Sequence, residues 1–348
     1  MQISANIPKF SKKKFSILVF CSSFFFLTLA LFFVKQLACQ RKKVILMVWD
    51  GTQRNHLNEL LAAGQLPNLQ KIIDEGAKRD DLSIFTQNCK KTNDGDNYKP
   101  STNPALTAIL TGYGYPIMNN YSNEEPNSIP EGLTLFERLK KINPKIKTGM
   151  ITGEALPFFP FPAFQNIAPP DCCYSANKLC GKRNSILPPI IDTCLLKTDY
   201  DFNVRERAEK FLEENYNNSF FLFVLFREPD FFGHLHDENS NEYSEAIISN
   251  DTQLGIVISK LKDLGIYDNT FLLITTDHGF SEGKTFHSPC VNDTKNLWLV
   301  SNKKLAIGRE EVTAKQTSIT PTILDIFGLP KNVNPPFTGE SLFTPASP

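Results

Sequence analysis

Apolar residues along this chain fall into two kinds of pattern. In the first they run almost without a break, at residues 44–49 (VILMVW), 148–152, 220–226 (FFLFVLF) and 271–275 (FLLIT). A strand buried on both faces of a parallel sheet reads this way, whereas a half-exposed strand alternates. In the second they recur at three- and four-residue steps, as Leu57, Leu60 and Leu61 do within residues 55–64, and again across 133–142, 204–216 and 243–264. That spacing gathers apolar side chains on one face of a helix. Strands alternating with helices predict an α/β fold with a mostly parallel central sheet sandwiched by helices. Residues 100–112 (PSTNPALTAILTG) predict a further helix beginning near Thr102, with Leu106, Ile109 and Leu110 on its apolar face.

A longer run precedes all of these. Residues 15–34 carry no charge over twenty positions, between Lys12, Lys13 and Lys14 on one side and Lys35 on the other. At about 1.5 Å per residue, such a helix matches the ~30 Å hydrocarbon core of a bilayer. The apolar stretch of a cleaved signal peptide is shorter, so the length predicts an N-terminal transmembrane signal anchor at 15–34, after a basic tail at 1–14 and before a linker at 35–42. Lysine and arginine are nearly balanced across it, so the side on which the domain lies is read from cysteines. Cys89, Cys172, Cys173, Cys180, Cys194 and Cys290 form an even set, as a disulfide framework in an extracytoplasmic domain would. Sequons at Asn120, Asn217, Asn250 and Asn292 fit the same compartment. Residues 43–348 read as a single domain. Within it, about 156–196 is a Pro- and Cys-rich insertion that fits no regular element.

Composition removes other classes. The 348 residues hold 37 basic and 37 acidic side chains, a balance that predicts no nucleic-acid-binding surface. A 41% hydrophobic share excludes a disordered chain.

Ligands of parallel sheets bind at the carboxyl ends of strands. Here those ends carry Asp50-Gly51, the segment REPDFFGHLHD at 227–237, and Asp277-His278-Gly279; Glu154 also follows a strand, without an assigned role. Four of the five histidines, His234, His236, His278 and His287, fall in or just after these segments. One Asp after a strand is ordinarily a cap or turn residue. Asp50, Asp230, His234, Asp277, His278 and one further histidine together suffice for two divalent ions, which need about three protein ligands each. A hydroxyl at the start of the 100–112 helix, Ser101 or Thr102, is either a plain cap or a nucleophile whose anion the helix dipole and a metal ion would stabilise. Phe158, Phe159 and Phe161 follow another strand and could wall the leaving group.

VILMVWDG, STNPALTAILTG, EPDFFGH and TTDHG together resemble the alkaline phosphatase superfamily, and within it the type I phosphodiesterase and nucleotide pyrophosphatase branch. The closing segment TSITPTILDIFGLP, followed by FTGESLF, resembles the end of that superfamily and of sulfatases. The resemblance implies an alkaline-phosphatase-like fold and hydrolysis of a small phosphorylated substrate, a nucleotide or phosphodiester. It implies Thr102 as nucleophile, a phosphothreonine intermediate and two divalent ions, zinc in kind. One ion would be held by Asp50, Asp277, His278 and Thr102, the other by Asp230, His234 and His287, with His236 as the alternative. Ala105 stands where the branch has an Asn that contacts a phosphoryl oxygen, and Asn103 could substitute. A sulfatase would instead need Cys or Ser at the nucleophile, a phosphoethanolamine transferase would have several spans, and a non-catalytic ectodomain would have lost a ligand. Two divalent ions against three aspartates and a threonine alkoxide leave the site near neutral, which suits a diester monoanion. A monoester dianion would want an added cation such as Lys99 or Lys284.

Overall fold

The computed structural model describes residues 41–84, 101–114, 129–130, 132–154, 191–196, 198–288, 291–329 and 333–345. The segment 15–34, Lys99, Phe158, Phe159 and Phe161 lie outside them, as do Cys89, Cys172, Cys173, Cys180 and Cys290. Among the described residues, no helix is long and apolar enough to cross a membrane. The chain divides into two compact units, Met1–Arg41 and Lys42–Pro348, and the fold below is that of the second.

Its elements in chain order are β1 (Lys43–Trp49), α1 (Arg54–Ala62), α2 (Pro67–Glu75), β2 (Ala77–Ser83), α3 (Thr102–Thr111), α4 (Leu135–Ile142), β3 (Lys147–Thr152), β4 (Thr193–Leu196), α5 (Asp201–Asn215), β5 (Phe220–Phe226), α6 (Glu228–His236), α7 (Asn241–Asp263), β6 (Thr270–Thr275), α8 (Asn292–Lys295), β7 (Asn296–Ser301) and α9 (Ile319–Phe327). The strands form one sheet in the order β2-β7-β6-β1-β5-β3-β4. Strands β6, β1, β5, β3 and β4 pair in parallel, and β7 runs against both of its neighbours.

The unbroken apolar runs have a direct cause. Every residue of β1 and β5 is buried, because helices cover both faces of the sheet. Val44, Leu46 and Val48 face a layer built with Leu106 and Ile109 of α3, Phe136 of α4 and Ile323 of α9. Ile45, Met47 and Trp49 face the other layer, with Leu57 of α1, Leu69 of α2, Phe211 of α5 and Leu254 of α7. The strand period of two thus sends alternate side chains into separate cores.

The sheet also contains strands that the apolar pattern did not announce. β2 reads AKRDDLS and lies at the sheet edge, where charged residues are expected and no apolar run forms. β4 falls inside the stretch expected to fit no regular element. It is a four-residue edge strand paired with β3 from Gly149↔Thr193 to Thr152↔Leu196, too short to show a period. Of the sequons, Asn217 and Asn292 are exposed, but Asn250 is fully buried within α7. Its amide cannot take a glycan in this fold, which corrects that part of the reading.

Leu222 sits at the centre of β5 and Asp80 on the outer strand β2. In urea unfolding, Leu222→Ala should cost about 2–5 kcal/mol, whereas Asp80→Ala should stay within about 0.5 kcal/mol.

Candidate metal centre

β1 lies between β5 and β6, and the register aligns Trp49 with Phe226 and Val48 with Thr275. The residues that follow, Asp50, Arg227 and Thr276-Asp277, therefore emerge side by side at one edge of the sheet. Gly51 turns the chain there at φ 65°, and its N–H donates to Asp277 Oδ1 at 3.1 Å. A Cβ at Gly51 would stand 2.8 Å from the Asp230 side chain, so the close approach of α6 requires glycine.

Helix α6 is held from outside itself. Buried Asp201 accepts from Arg227 N at 2.9 Å and Glu228 N at 3.0 Å, binding the first backbone donors of the helix. Asp230 and His234 then stand one turn apart.

Two groups of ligand atoms result, and they share a residue. In the first, His278 Nε2 lies 3.5 Å from Asp50 Oδ1, 3.7 Å from Asp277 Oδ2 and 3.8 Å from Asp230 Oδ1. Ligand atoms of Asp50, Asp230 and His278 all lie within 4.8 Å of one another, close to the ~3.4 Å that separates atoms bound tetrahedrally to one ion, and Asp277 approaches this group through His278. Both Asp50 oxygens, Asp230 Oδ1, Asp277 Oδ2 and His278 Nε2 are buried and have no hydrogen-bond partner among the described residues. In the second group the ligand atoms of Asp230, His234 and His287 lie within 4.8 Å of one another. His234 Nδ1 lies 2.7 Å from the Thr285 carbonyl, which can only accept, so Nδ1 carries a hydrogen, and Nε2 faces Asp230 Oδ2 at 3.6 Å. The His287 ring is 4.3 Å from that of His278 and 5.2 Å from that of His234.

Asp230 thus offers Oδ1 to one group and Oδ2 to the other. The resemblance assigns Asp230 to one ion, with His234 and His287; the orientation of its carboxylate also turns Oδ1 toward the first group. His236 belongs to neither group, and its ring lies 6.1 Å from Phe232. Ser101 is the N-cap of α3 without a side-chain capping bond, and Thr102 is the first helical residue, 3% exposed. Thr102 is therefore not a cap, and buried Asn103 follows it. The turn at Gln316–Ser318 packs on α3, and Gln316 Nε2 donates to the Asp277 carbonyl. Lys284 is exposed.

Burial pushes the carboxyls of Asp50 and Asp230 well above the carboxylate range; Asp277, Asp230 and Glu154 raise Asp50 further, and Glu154 and Asp277 raise Asp230. Asp277 is raised by burial to about 6, against N–H donors from Gly51 and His278. Burial lowers His278 to about 3, so its imidazole is neutral and able to bind a metal. Two residues join this field without having been assigned to it. Glu154, raised by burial, adds negative charge beside Asp50, and Arg227 acts with opposite sign on Glu154 and Asp230. Each stands within two residues of a strand end, which is the signal that could have found them. Converging carboxylate oxygens without donors beside the neutral His278 imidazole fit divalent cations.

The sequence profile of the sulfatase family matches residues 42–329. Ectonucleotide pyrophosphatase/phosphodiesterase family member 1 of Rattus norvegicus is 28% identical over 125 residues, 36% of this chain and 14% of that protein. The chain thus spans about a seventh of that relative's length. Among solved structures, one determined in complex with its substrate D-glucosamine-2-N,6-O-disulfate aligns at a TM-score of 0.57 and 15% identity, covering 87% of this chain and 79% of that one. The lipoteichoic acid synthase LtaP from Listeria monocytogenes aligns at a TM-score of 0.55 and 16% identity, covering 88% and 76%. The shared architecture is alkaline-phosphatase-like.

In the metal-free fold Asp277 has its pKa near 6 against an ordinary 3.8, so its stabilising contribution is complete below about pH 4 and lost as pH rises through 6. Asp50 and Asp230 act in the same sense; His278, held neutral, costs stability as pH falls below its ordinary 6.5. Three carboxyls outweigh one imidazole. Calorimetric scans with and without zinc should therefore show a metal-induced rise in Tm that grows from about pH 5 to about pH 8.

Proposed function

The chain belongs to the sulfatase family, enzymes of the alkaline phosphatase superfamily that act on sulfate or phosphate esters, and within that class we propose that it cleaves phosphodiester or pyrophosphate bonds with Thr102 as nucleophile at a two-ion centre. The observation that carries the reading is Asp230, whose two oxygens face two separate ligand groups. Ions about 3.5–4 Å apart supply Lewis-acid charge to both the attacking and the leaving oxygen of an in-line displacement. Nitrogen and oxygen ligands in groups of about three favour zinc.

The residues of the chain do the rest. Asp50, Asp277 and His278, with the Thr102 oxygen, would hold an ion that stabilises the nucleophile; Asp230, His234 and His287 would hold one that stabilises the leaving group. Thr102, in the positive field at the start of α3, attacks phosphorus through its deprotonated oxygen as the bond to the leaving oxygen breaks and that group departs; water then cleaves the phosphothreonine, releasing the phosphoryl product and restoring the Thr102 hydroxyl. Buried Asn103 is available to hold a phosphoryl oxygen. The family profile favours a sulfate-ester reading, but Thr102 occupies the position where a sulfatase needs Cys or Ser. We further read residues 15–34 as the membrane anchor, with the catalytic domain on the extracytoplasmic side.

Turnover of bis(nitrophenyl) phosphate, the mononitrophenyl ester and a nitrophenyl sulfate compares the readings. The diester should be fastest, and a faster sulfate ester would replace this assignment. Thr102→Ala should lower kcat about 10³-fold or more while zinc content and Tm hold; loss of less than about tenfold would move the nucleophile to Ser101.

A further inference from the structure

Beyond the ligands lies a chain of polar contacts that the reaction does not use directly. Glu238, two residues past His236, is 1% exposed, and each of its oxygens has a partner. Oε1 meets His56 Nδ1 at 2.8 Å, and Oε2 accepts from Gly283 N at 3.0 Å. The Glu238 N–H donates to the Lys284 carbonyl at 3.0 Å. Glu238 therefore grips residues 283–284 from both its backbone and its side chain.

The gripped loop carries ligands. Its next residue, Thr285, supplies the carbonyl that orients His234, and His287 lies two positions further on. The loop is closed on itself by Ser281 N donating to the Phe286 carbonyl at 3.3 Å and by Ser288 N donating to Ser281 Oγ at 2.8 Å. At the other end, His56 belongs to α1, is 8% exposed, and its Nε2 lies 2.9 Å from Ser244 Oγ on α7. Its ring stands edge-on to Tyr243 at 5.0 Å. Tyr243 in turn donates to the Gly51 carbonyl at 2.7 Å, next to Asp50.

An exposed loop of this kind would ordinarily fluctuate, and two of the three ligands of the second group depend on it. We propose that the buried His56–Glu238 pair is a strut that positions the 281–288 loop, and through it His234 and His287, for the second ion of the pair. Glu238 and His56 touch neither substrate nor ion; they are positioning residues. The Asp50–Asp277–His278 group is built on strand ends and does not hang from this loop. Losing the strut therefore weakens one ion and spares the other. Ser244, whose hydroxyl also donates to the Ser240 carbonyl at 3.2 Å, completes the anchoring of His56 to α7.

The inference rests on the two-ion reading, and the experiment separates the two. Metal-free full-length protein and its variants are titrated with zinc by calorimetry, with bound zinc measured by elemental analysis. The unaltered protein should bind two ions. Glu238→Ala should keep one affinity within about threefold and lose about tenfold or more at the other, the scale on which groups behind a ligand act. Glu238→Gln, which can still accept from Gly283 N, should recover the second affinity to within about threefold. Should Glu238→Ala fail to fold, His56→Leu carries the test, with the same selective loss expected because the strut has lost its far end. Equal loss at both ions, or no loss at either in the folded variants, would overturn the strut. A single bound ion in the unaltered protein would instead overturn the two-ion reading and the inference with it.

Discussion

Asp50, Asp230 and Asp277 are brought together by apolar strands and the helix α6 that packs beside them, and their negative charges converge on one imidazole with few donors to receive them. Carboxylates in that position resist ionisation, because burial and mutual repulsion both favour the protonated form. A divalent cation reverses the balance, turning repulsion among the ligands into attraction to the ion. The stable sheet supplies the free energy that holds this frustrated arrangement in place, and the arrangement is what gives the fold a use for metal.

Most of the surrounding structure can be understood as fixing the positions of those charges. Gly51 lets α6 approach β1, Asp201 binds the start of α6, and Tyr243 ties Gly51 to α7. Gln316 links the Asp277 backbone to the turn that supports α3, which begins at Thr102. These polar ties join elements that are far apart in sequence. They replace solvent contacts of groups that would otherwise be buried without partners. Packing on each face of the sheet keeps them from drifting.

The α/β architecture was legible because VILMVW and FFLFVLF are buried on both faces and cannot alternate. The strand ends that carry Asp50, Asp230 and Asp277 were legible for the same reason, since a site in a parallel sheet has one edge to occupy. What stayed hidden depends on orientation or distance. That Asp230 faces both ligand groups follows from where its two oxygens point. Glu154 and Arg227 follow strand ends as the ligands do, but their part in the site comes through their charges, which position alone does not assign. β2 and β4 escaped because edge strands are charged or short, and Asn250 looked available because a sequon says nothing about burial.

The account stands on Asp230 being common to two ions. Crystals grown with zinc, measured on both sides of the zinc absorption edge, test this directly. Two anomalous peaks about 3.5–4 Å apart with the Asp230 carboxylate between them are the expected result. A single peak among Asp50, Asp277 and His278, with none beside His234 and His287, would contradict it.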